Sequence, residues 1–433
     1  MDLTRRKLLL STLFGVGGVG LRALATGLPL SVFTRPHSAQ ADTLPAPNAC
    51  SNPQFLFLLT SASGDPTNAN VPGTYLLPEL DHPPQASMTP TTMTVGGKAF
   101  QAARPWTQLP PAILARTAFL HHGTYTSSHG DSSKVSALMG AVQRQEMLIS
   151  LLAKHLAPCL GTVQAQPVVL SRQLVTFNGA VMPTLSPRNL RGVLLSPTGP
   201  LANLQKIRDA NLDKLNELFK QSGNTAQRAI LDQYALSQRD ARAISQDLLN
   251  ALASITGETR QDLNTAAAVL FKMKVTPAVV GRYSFGGDNH FDTGLVKESE
   301  ETVASTTALA DLYSQLATHG LTDSVTIAFQ NVFGRTLQTK SLEGRDHNAN
   351  HACSIIIGSG VKSSVIGGVV PFKTAFRAAG FDSATGQISD AGDIQFETTL
   401  SSVGKTLGRA VGVSQTVLDE QITKGKVIPA ALV

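Results

Sequence analysis

The run Gly344-Arg345-Asp346-His347-Asn348-Ala349-Asn350-His351 gathers one carboxylate and two imidazoles into a single short stretch. A second run, Gly286-Gly287-Asp288-Asn289-His290, repeats the combination. Asp and His together supply the oxygen and nitrogen donors that a divalent metal site needs. Each run follows an apolar stretch that reads as a buried strand: VTIAF at 325–329 for the first, AVVGRYSF at 278–285 for the second. In open α/β sheets ligands bind in the crevice outside the carboxyl ends of the strands, so both runs are candidates for one site. The competing reading is a pair of Gly-rich turns whose Asp and Asn side chains are merely solvated.

The elements that would position these runs alternate along the chain. FLFLL at 55–59 ends in Thr, Ser, Gly and Asp65, as a buried first strand entering a functional loop would. ARTAFLHHGTY at 115–125 is a second strand candidate, and the polar segment after it leads into a helix expected to reach about His155. QPVVLS at 166–171 is a short strand, and HACSIIIG at 351–358 another. Helices are expected over SEETVASTTALADLYSQLATHG and near the end over ETTLSSVGKTLGRAVG. Residues 66–111, rich in Pro, Thr and Gly, predict little regular structure. Residues 201–265 carry apolar residues at helical spacing with dense polar faces, and Ser222-Gly223-Asn224 breaks them into a helical hairpin that reads as an insertion. The whole predicts an α/β domain over 55–433, with a mostly parallel central sheet flanked by helices.

The N-terminus sets the compartment. Arg5, Arg6 and Lys7 precede a Gly-rich apolar run, and Ala39-Gln40-Ala41 is a cleavage pattern. Thr-Arg-Arg-Lys-Leu-Leu resembles the twin-arginine export signal. Residues 1–41 are therefore expected to be a signal peptide and 42–54 a linker. The expected destination is periplasmic or secreted. The twin-arginine translocase is the expected partner during export, and the membrane is touched only through the leader before cleavage. The net charge of +6 misleads, because Arg5, Arg6, Lys7, Arg22 and Arg35 against Asp2 account for most of it. What remains gives no electrostatic case for nucleic acid. Cys50, Cys159 and Cys353 permit one disulfide and one free thiol in an oxidising destination. They cannot hold an iron–sulfur cluster, and no haem-attachment motif is present, which argues against a redox protein.

An ordered set carries a family resemblance. It comprises the twin-arginine leader, Gly64-Asp65 after the first strand, Ser128-His129, Gly287-Asp288-Asn289-His290, Phe333-Gly334-Arg335-Thr336, Gly344-Arg345-Asp346-His347 and SIIIGSGVKSSVIGG. It resembles the bacterial exported family catalogued as domain of unknown function 1501, which resembles the alkaline phosphatase and sulfatase superfamily in fold. The likeness spans most of the chain beyond the leader. It implies an alkaline phosphatase-like sheet with divalent metal ions (zinc, manganese or calcium) in the crevice. Asp65, Asp288, His290, Asp346 and His347 would be the ligands, with His351 a further candidate from the residue pattern. Ser128 would be the nucleophile, with His129 beside it, and the substrate an anionic small-molecule phosphate or sulfate ester. The chemistry is coherent, since two cations neutralise an anionic ester and a helix N-terminus adds N–H donors. Ser128 also reads simply as an N-cap. Arg335 and Arg345 would either clamp an anion or pin loops to carboxylates. Two positions depart from the family. Val332 stands where the family carries an acidic residue, and an apolar side chain cannot ligate a hard cation. Ser-Ala-Ser-Gly-Asp-Pro replaces a Gly-Gly-x-Asp-Gly signature. They predict an incomplete second metal site and keep open a non-catalytic cell-envelope protein that retains the fold.

Overall fold

The computed structural model describes residues 53–433 except 76, 78, 161–164, 195–199, 226, 229–230, 233–234, 236–245 and 340–342. The leader expected at 1–41 and most of the linker expected at 42–54 lie outside the described residues. Gln54 already belongs to the first strand, so the folded domain begins slightly earlier than the linker reading placed it.

Seven strands form the central sheet: β1 Gln54–Leu59, β2 Thr117–His122, β3 Val168–Val169, β4 Ala278–Arg282, β5 Val325–Gln330, β6 Ala352–Ile357 and β7 Ser364–Ile366. Every residue of β1, β2, β5 and β6 is buried. That is why these strands read as continuous apolar runs rather than alternating ones: both faces of the sheet are covered. Along β1, Leu56 and Leu58 enter one core and Phe55 and Phe57 the other. The first core is closed by α2 Arg260–Lys272 and α3 Val296–Thr318, the second by α1 Leu148–Leu160 and α4 Thr399–Ala410. A capping box fixes the start of α2, where the Thr259 hydroxyl and the Asp262 carboxylate each bond the other's backbone N–H.

The sheet order is β7-β2-β6-β5-β1-β4-β3. All strands run the same way except β6, which is antiparallel to both β5 and β2. The sheet is thus mixed and mostly parallel. The reversal follows from the connection: among its described residues no helix lies between β5 and β6, and a parallel return requires a crossover. The segment leaving the carboxyl end of β5 therefore re-enters β6 at that same edge. The Asp/His run at 344–351 reaches the crevice by standing before a strand rather than after one.

Three local expectations change. The span 66–111 contains a hairpin of Pro90–Val95 with Lys98–Ala103. Its two-residue Gly96-Gly97 turn has both φ positive, the geometry that Gly-Gly supplies in tight hairpins. The helix expected from Ser128 to about His155 is broken into short turns at 129–145, and a long helix begins only at Leu148. Leu138, Met139, Gly140, Arg144 and Gln145 all take positive φ there, which no continuous helix allows. In the 201–265 span the described helices are Pro200–Ser222 and Gln246–Ser254. Arg260–Lys272, by contrast, is a core helix with nine buried residues. Among the described residues no helix is long and apolar enough to cross a membrane. Cys159 is disulfide-bonded, and Cys353 is a buried free thiol in β6.

Candidate metal centre

Four loops meet at the carboxyl edge of the sheet: 60–65 after β1, 123–129 after β2, 283–290 after β4 and 331–335 after β5. The segment 344–351 enters β6 at the same edge. A two-residue ladder ties the last two segments, with Arg335 paired to His347 and Gly334 to Asn348. Thr336 N–H donates to the Asp346 carbonyl, and Asp346 N–H to the Thr336 hydroxyl. Beneath them lies a fully buried ion pair. Arg345 donates Nε to Glu298 Oε2 at 2.8 Å and Nη2 to Glu298 Oε1 at 3.1 Å. Its other donors go to the carbonyls of Thr336, Leu337 and Asp81. Glu298 also accepts from Asn70 and Asn289. One carboxylate thus ties the β4 loop and the segment entering β6 to the short helix Thr67–Asn70 that follows the β1 loop.

Asp288, His290 and His347 present donor atoms that all lie within 4.8 Å of one another. His347 Nδ1 is 2.7 Å from the Ser127 carbonyl, which can only accept, so Nδ1 carries the hydrogen and Nε2 the lone pair. His290 Nδ1 is 3.3 Å from the Asp346 carboxylate, which turns that ring the same way. The two Nε2 atoms face each other at 2.8 Å, with Asp288 Oδ1 3.6 Å from His290 Nε2. Two ring nitrogens at that separation are joined either by a proton on one of them or by a cation held between their lone pairs. Arg335 Nη2 donates to Asp288 Oδ1 at 2.9 Å. Burial pushes the Asp288 carboxyl up, but the Arg335 charge and hydrogen bond, with His290 and His129, outweigh it and hold Asp288 below the usual carboxylate range. His347 lies below the ordinary imidazole value chiefly through burial; the Ser127 carbonyl opposes this, while Arg335, His290 and His129 add to it. The His129 ring stands edge-on to His347 at 4.7 Å, and the Phe333 ring lies 4.3 Å from it on a tilt.

The remaining sequence candidates are placed otherwise. Asp65 is fully buried, and its oxygens accept from Thr67 N–H and hydroxyl and from the N–H groups of Phe285 and Gly287. It fastens the β1 loop to the β4 loop and is not in the three-residue group. Asp346 stands behind His290 as an orienting carboxylate. His351 is buried and bonded through both nitrogens, to Asn68 and His121. Arg345 has no donor left for an anion, so of the two roles open to it the pinning one applies. Arg335 is equally buried, but its Nε has no partner and one Nη2 bond goes to the cluster. Ser128 is exposed at the start of a three-residue turn, and its side chain makes no capping bond. The turn runs into the five-residue helix Ser132–Ser136, a much shorter helical start than the sequence predicts. Val332 is buried in the second core, away from ligation. Two imidazoles and a carboxylate suit zinc or manganese; calcium, which takes oxygen ligands, fits them poorly.

Sequence reasoning missed Glu298. It sits in a charge-rich helix start, KESEE, which reads as a solvated face, and nothing in residue type marks it as buried.

Residues 189–384 match the family model described as Protein of unknown function (DUF1501). Over that span the chain is similar to the family, which supports the resemblance drawn from the motifs. The DUF1501 match contains Asp288, His290, Arg335, Asp346 and His347, hence the whole convergent group. Asp65, Ser128 and His129 fall outside it. No curated protein matches the chain.

Proposed function

We propose that this chain is an exported, divalent-metal-dependent hydrolase of phosphate or sulfate esters, with Asp288, His290 and His347 holding the metal. The observation that carries the reading is the convergence of two facing Nε2 atoms and a carboxylate, each imidazole oriented by a partner on Nδ1. This is the arrangement by which proteins aim histidine at a metal. A bound divalent ion would supply Lewis acidity toward an ester oxygen. Arg335 keeps Asp288 ionised and ready to bind. The backbone of Ser127 orients His347, which brings the 126–129 loop and the exposed Ser128 hydroxyl to the same rim. In this reading the sheet is alkaline phosphatase-like, residues about 201–265 are a helical insertion, and the leader sends the folded chain through the twin-arginine translocase to the periplasm or beyond.

The test is elemental analysis of protein purified without chelator, followed by a panel of chromogenic phosphate and sulfate esters. Stoichiometric zinc or manganese with ester cleavage supports the reading. Protein that lacks metal and is not stabilised by zinc or manganese overturns it. Replacing Arg5 and Arg6 by Lys should leave the chain inside the cell if the leader is of the twin-arginine type.

A second reading is favoured by Val332 and by the short turn after Ser128. Each removes a feature that the superfamily chemistry uses. A protein that binds metal but cleaves no ester in the panel would be a non-catalytic envelope module that keeps the fold.

A further inference from the structure

A second concavity lies at the same sheet edge, beside the short strand β3. It encloses about 660 Å³ and is lined by Arg172, Arg260, Arg282 and Glu258 among others. Arg282 ends β4, and Arg172 lies just beyond β3, so the pairing of these two strands brings both guanidinium groups to one opening. Ser284 also lines it and belongs to the loop that carries Asp288, so the cavity and the histidine group are served by one loop.

The three arginines are not equivalent. Arg260 is committed to Glu301 and the Ser284 carbonyl. Arg172 and Arg282 are exposed and make no ion pair or side-chain hydrogen bond among the described residues. The start of α2 reaches the cavity at Thr259, where the capping box satisfies the Thr259 and Asp262 N–H groups. The positive character therefore rests on two unpaired guanidinium forks, opposed by one lining carboxylate, Glu258. Guanidinium forks match carboxylate, phosphate and sulfate oxygens in geometry. The rest of the wall combines the hydroxyls of Ser171, Thr184, Ser186, Thr259 and Ser284 with one amide and three apolar side chains. No aromatic ring lines it, so nothing there stacks a base or an aromatic ligand. The volume falls in the range of small-molecule sites, about 300–1,000 Å³.

We propose that this cavity binds an anionic sugar, whose phosphate, sulfate or carboxylate group is held by Arg172 and Arg282 and whose hydroxyls meet the Ser and Thr wall. The site is distinct from the histidine group and does not depend on its metal.

The test is calorimetric titration of the full chain with glucose 6-phosphate, glucose 6-sulfate, glucuronate and glucose. At least one of the three anions should bind saturably and glucose should not; which anion binds identifies the source of the oxyanion. Arg172→Ala and Arg282→Ala should each weaken binding about tenfold or more, the scale of losing a charge-assisted hydrogen bond. Both residues are exposed, so an unchanged melting temperature verifies that the variants fold. Adding a chelator should leave binding intact. Absence of saturable binding by every anion, binding that survives the double substitution, or binding abolished by the chelator would each overturn the proposal.

Discussion

Three buried histidines and two half-exposed ones stand at one edge of the sheet and have opposite chemistry. In the buried set, every ring nitrogen has a complementary partner. His121 donates Nε2–H to the Pro72 carbonyl at 2.9 Å and accepts at Nδ1 from His351 Nε2 at 3.0 Å. His351 accepts at Nδ1 from Asn68, whose other amide hydrogen goes to the Arg335 carbonyl. His122 donates to the Gly123 carbonyl and accepts from the Ser354 hydroxyl. The chain of bonds is consistent only if every ring is neutral. In the half-exposed pair, His290 and His347 have partners at Nδ1, and their Nε2 atoms face each other beside Asp288. The difference teaches that a histidine's neighbours at both nitrogens, more than its position in a motif, separate a structural ring from a ligand.

Acid should break the buried set first and with the largest effect. Burial pulls His121 and His122 down to about 4, with the Pro72 and Gly123 carbonyls opposing, and pulls His351 well below its usual value. The folded state resists protons that the unfolded chain takes up near pH 6.5. The stability these rings contribute is therefore complete above that pH and is lost as pH falls toward about 4. The loss reaches about 3 kcal/mol for each of His121 and His122. The raised carboxyls of Asp65 and Glu298, shifted mainly by burial, act in the opposite direction and offset part of it. Urea unfolding at pH 7, 6 and 5 should show a steep decline. A flat profile would mean that the three rings are not held neutral.

Removing a half-exposed ring should leave the fold intact and abolish its response to metal. Zinc or manganese at about a hundredfold above its dissociation constant adds about 2.7 kcal/mol of stability to a chain that binds it. Calorimetric melting should show that gain in the unaltered protein and lose it in His290→Ala and in His347→Ala. If both variants keep the gain, the metal binds elsewhere.

Much of this architecture is legible in the sequence, for physical reasons that also set the limit. Strands covered on both faces must be apolar on both, so FLFLL, VTIAF and HACSIIIG announce themselves. Direction is not encoded in such runs: β6 reads like its neighbours yet runs against them, because the described residues between β5 and β6 form no crossover helix. Asp/His spacing locates the crevice but cannot assign roles within it. Asp65, Asp346 and His351 are the residue types a metal takes, and each is occupied by partners far away in sequence. Arg345 differs from Arg335 only in which carboxylate it meets, and its partner Glu298 sits on a helix start that resembles a solvated face.

The orienting role of Asp346 gives a finer test of the same contrast. Asp346→Asn keeps the shape but weakens the hold on His290 Nδ1. Losing such an outer partner typically lowers metal affinity about 10–100-fold without destroying the site. Competition against a colorimetric chelator should find that weakening, with the apo melting temperature little changed. An unaltered affinity would mean that His290 is oriented by something else.

The smallest expected change in stability belongs to Ser128→Ala, and it bears most directly on catalysis. The side chain is exposed, and its hydroxyl caps nothing. Its loss should therefore move stability by no more than about 0.5 kcal/mol, as for other surface positions. Metal binding should also survive, because the loop holds His347 through the Ser127 carbonyl, a backbone group that the substitution leaves in place. Yet both neighbours of Ser128 touch His347, Ser127 by its carbonyl and His129 by its ring, so residue 128 belongs to the loop that borders the cluster. If the chain cleaves esters with Ser128 as nucleophile, the variant should keep its melting temperature and its metal and lose turnover. Turnover that persists with metal content unchanged would remove Ser128 from the reaction, and the hydroxyls of Thr126 and Ser127 would be the next to substitute.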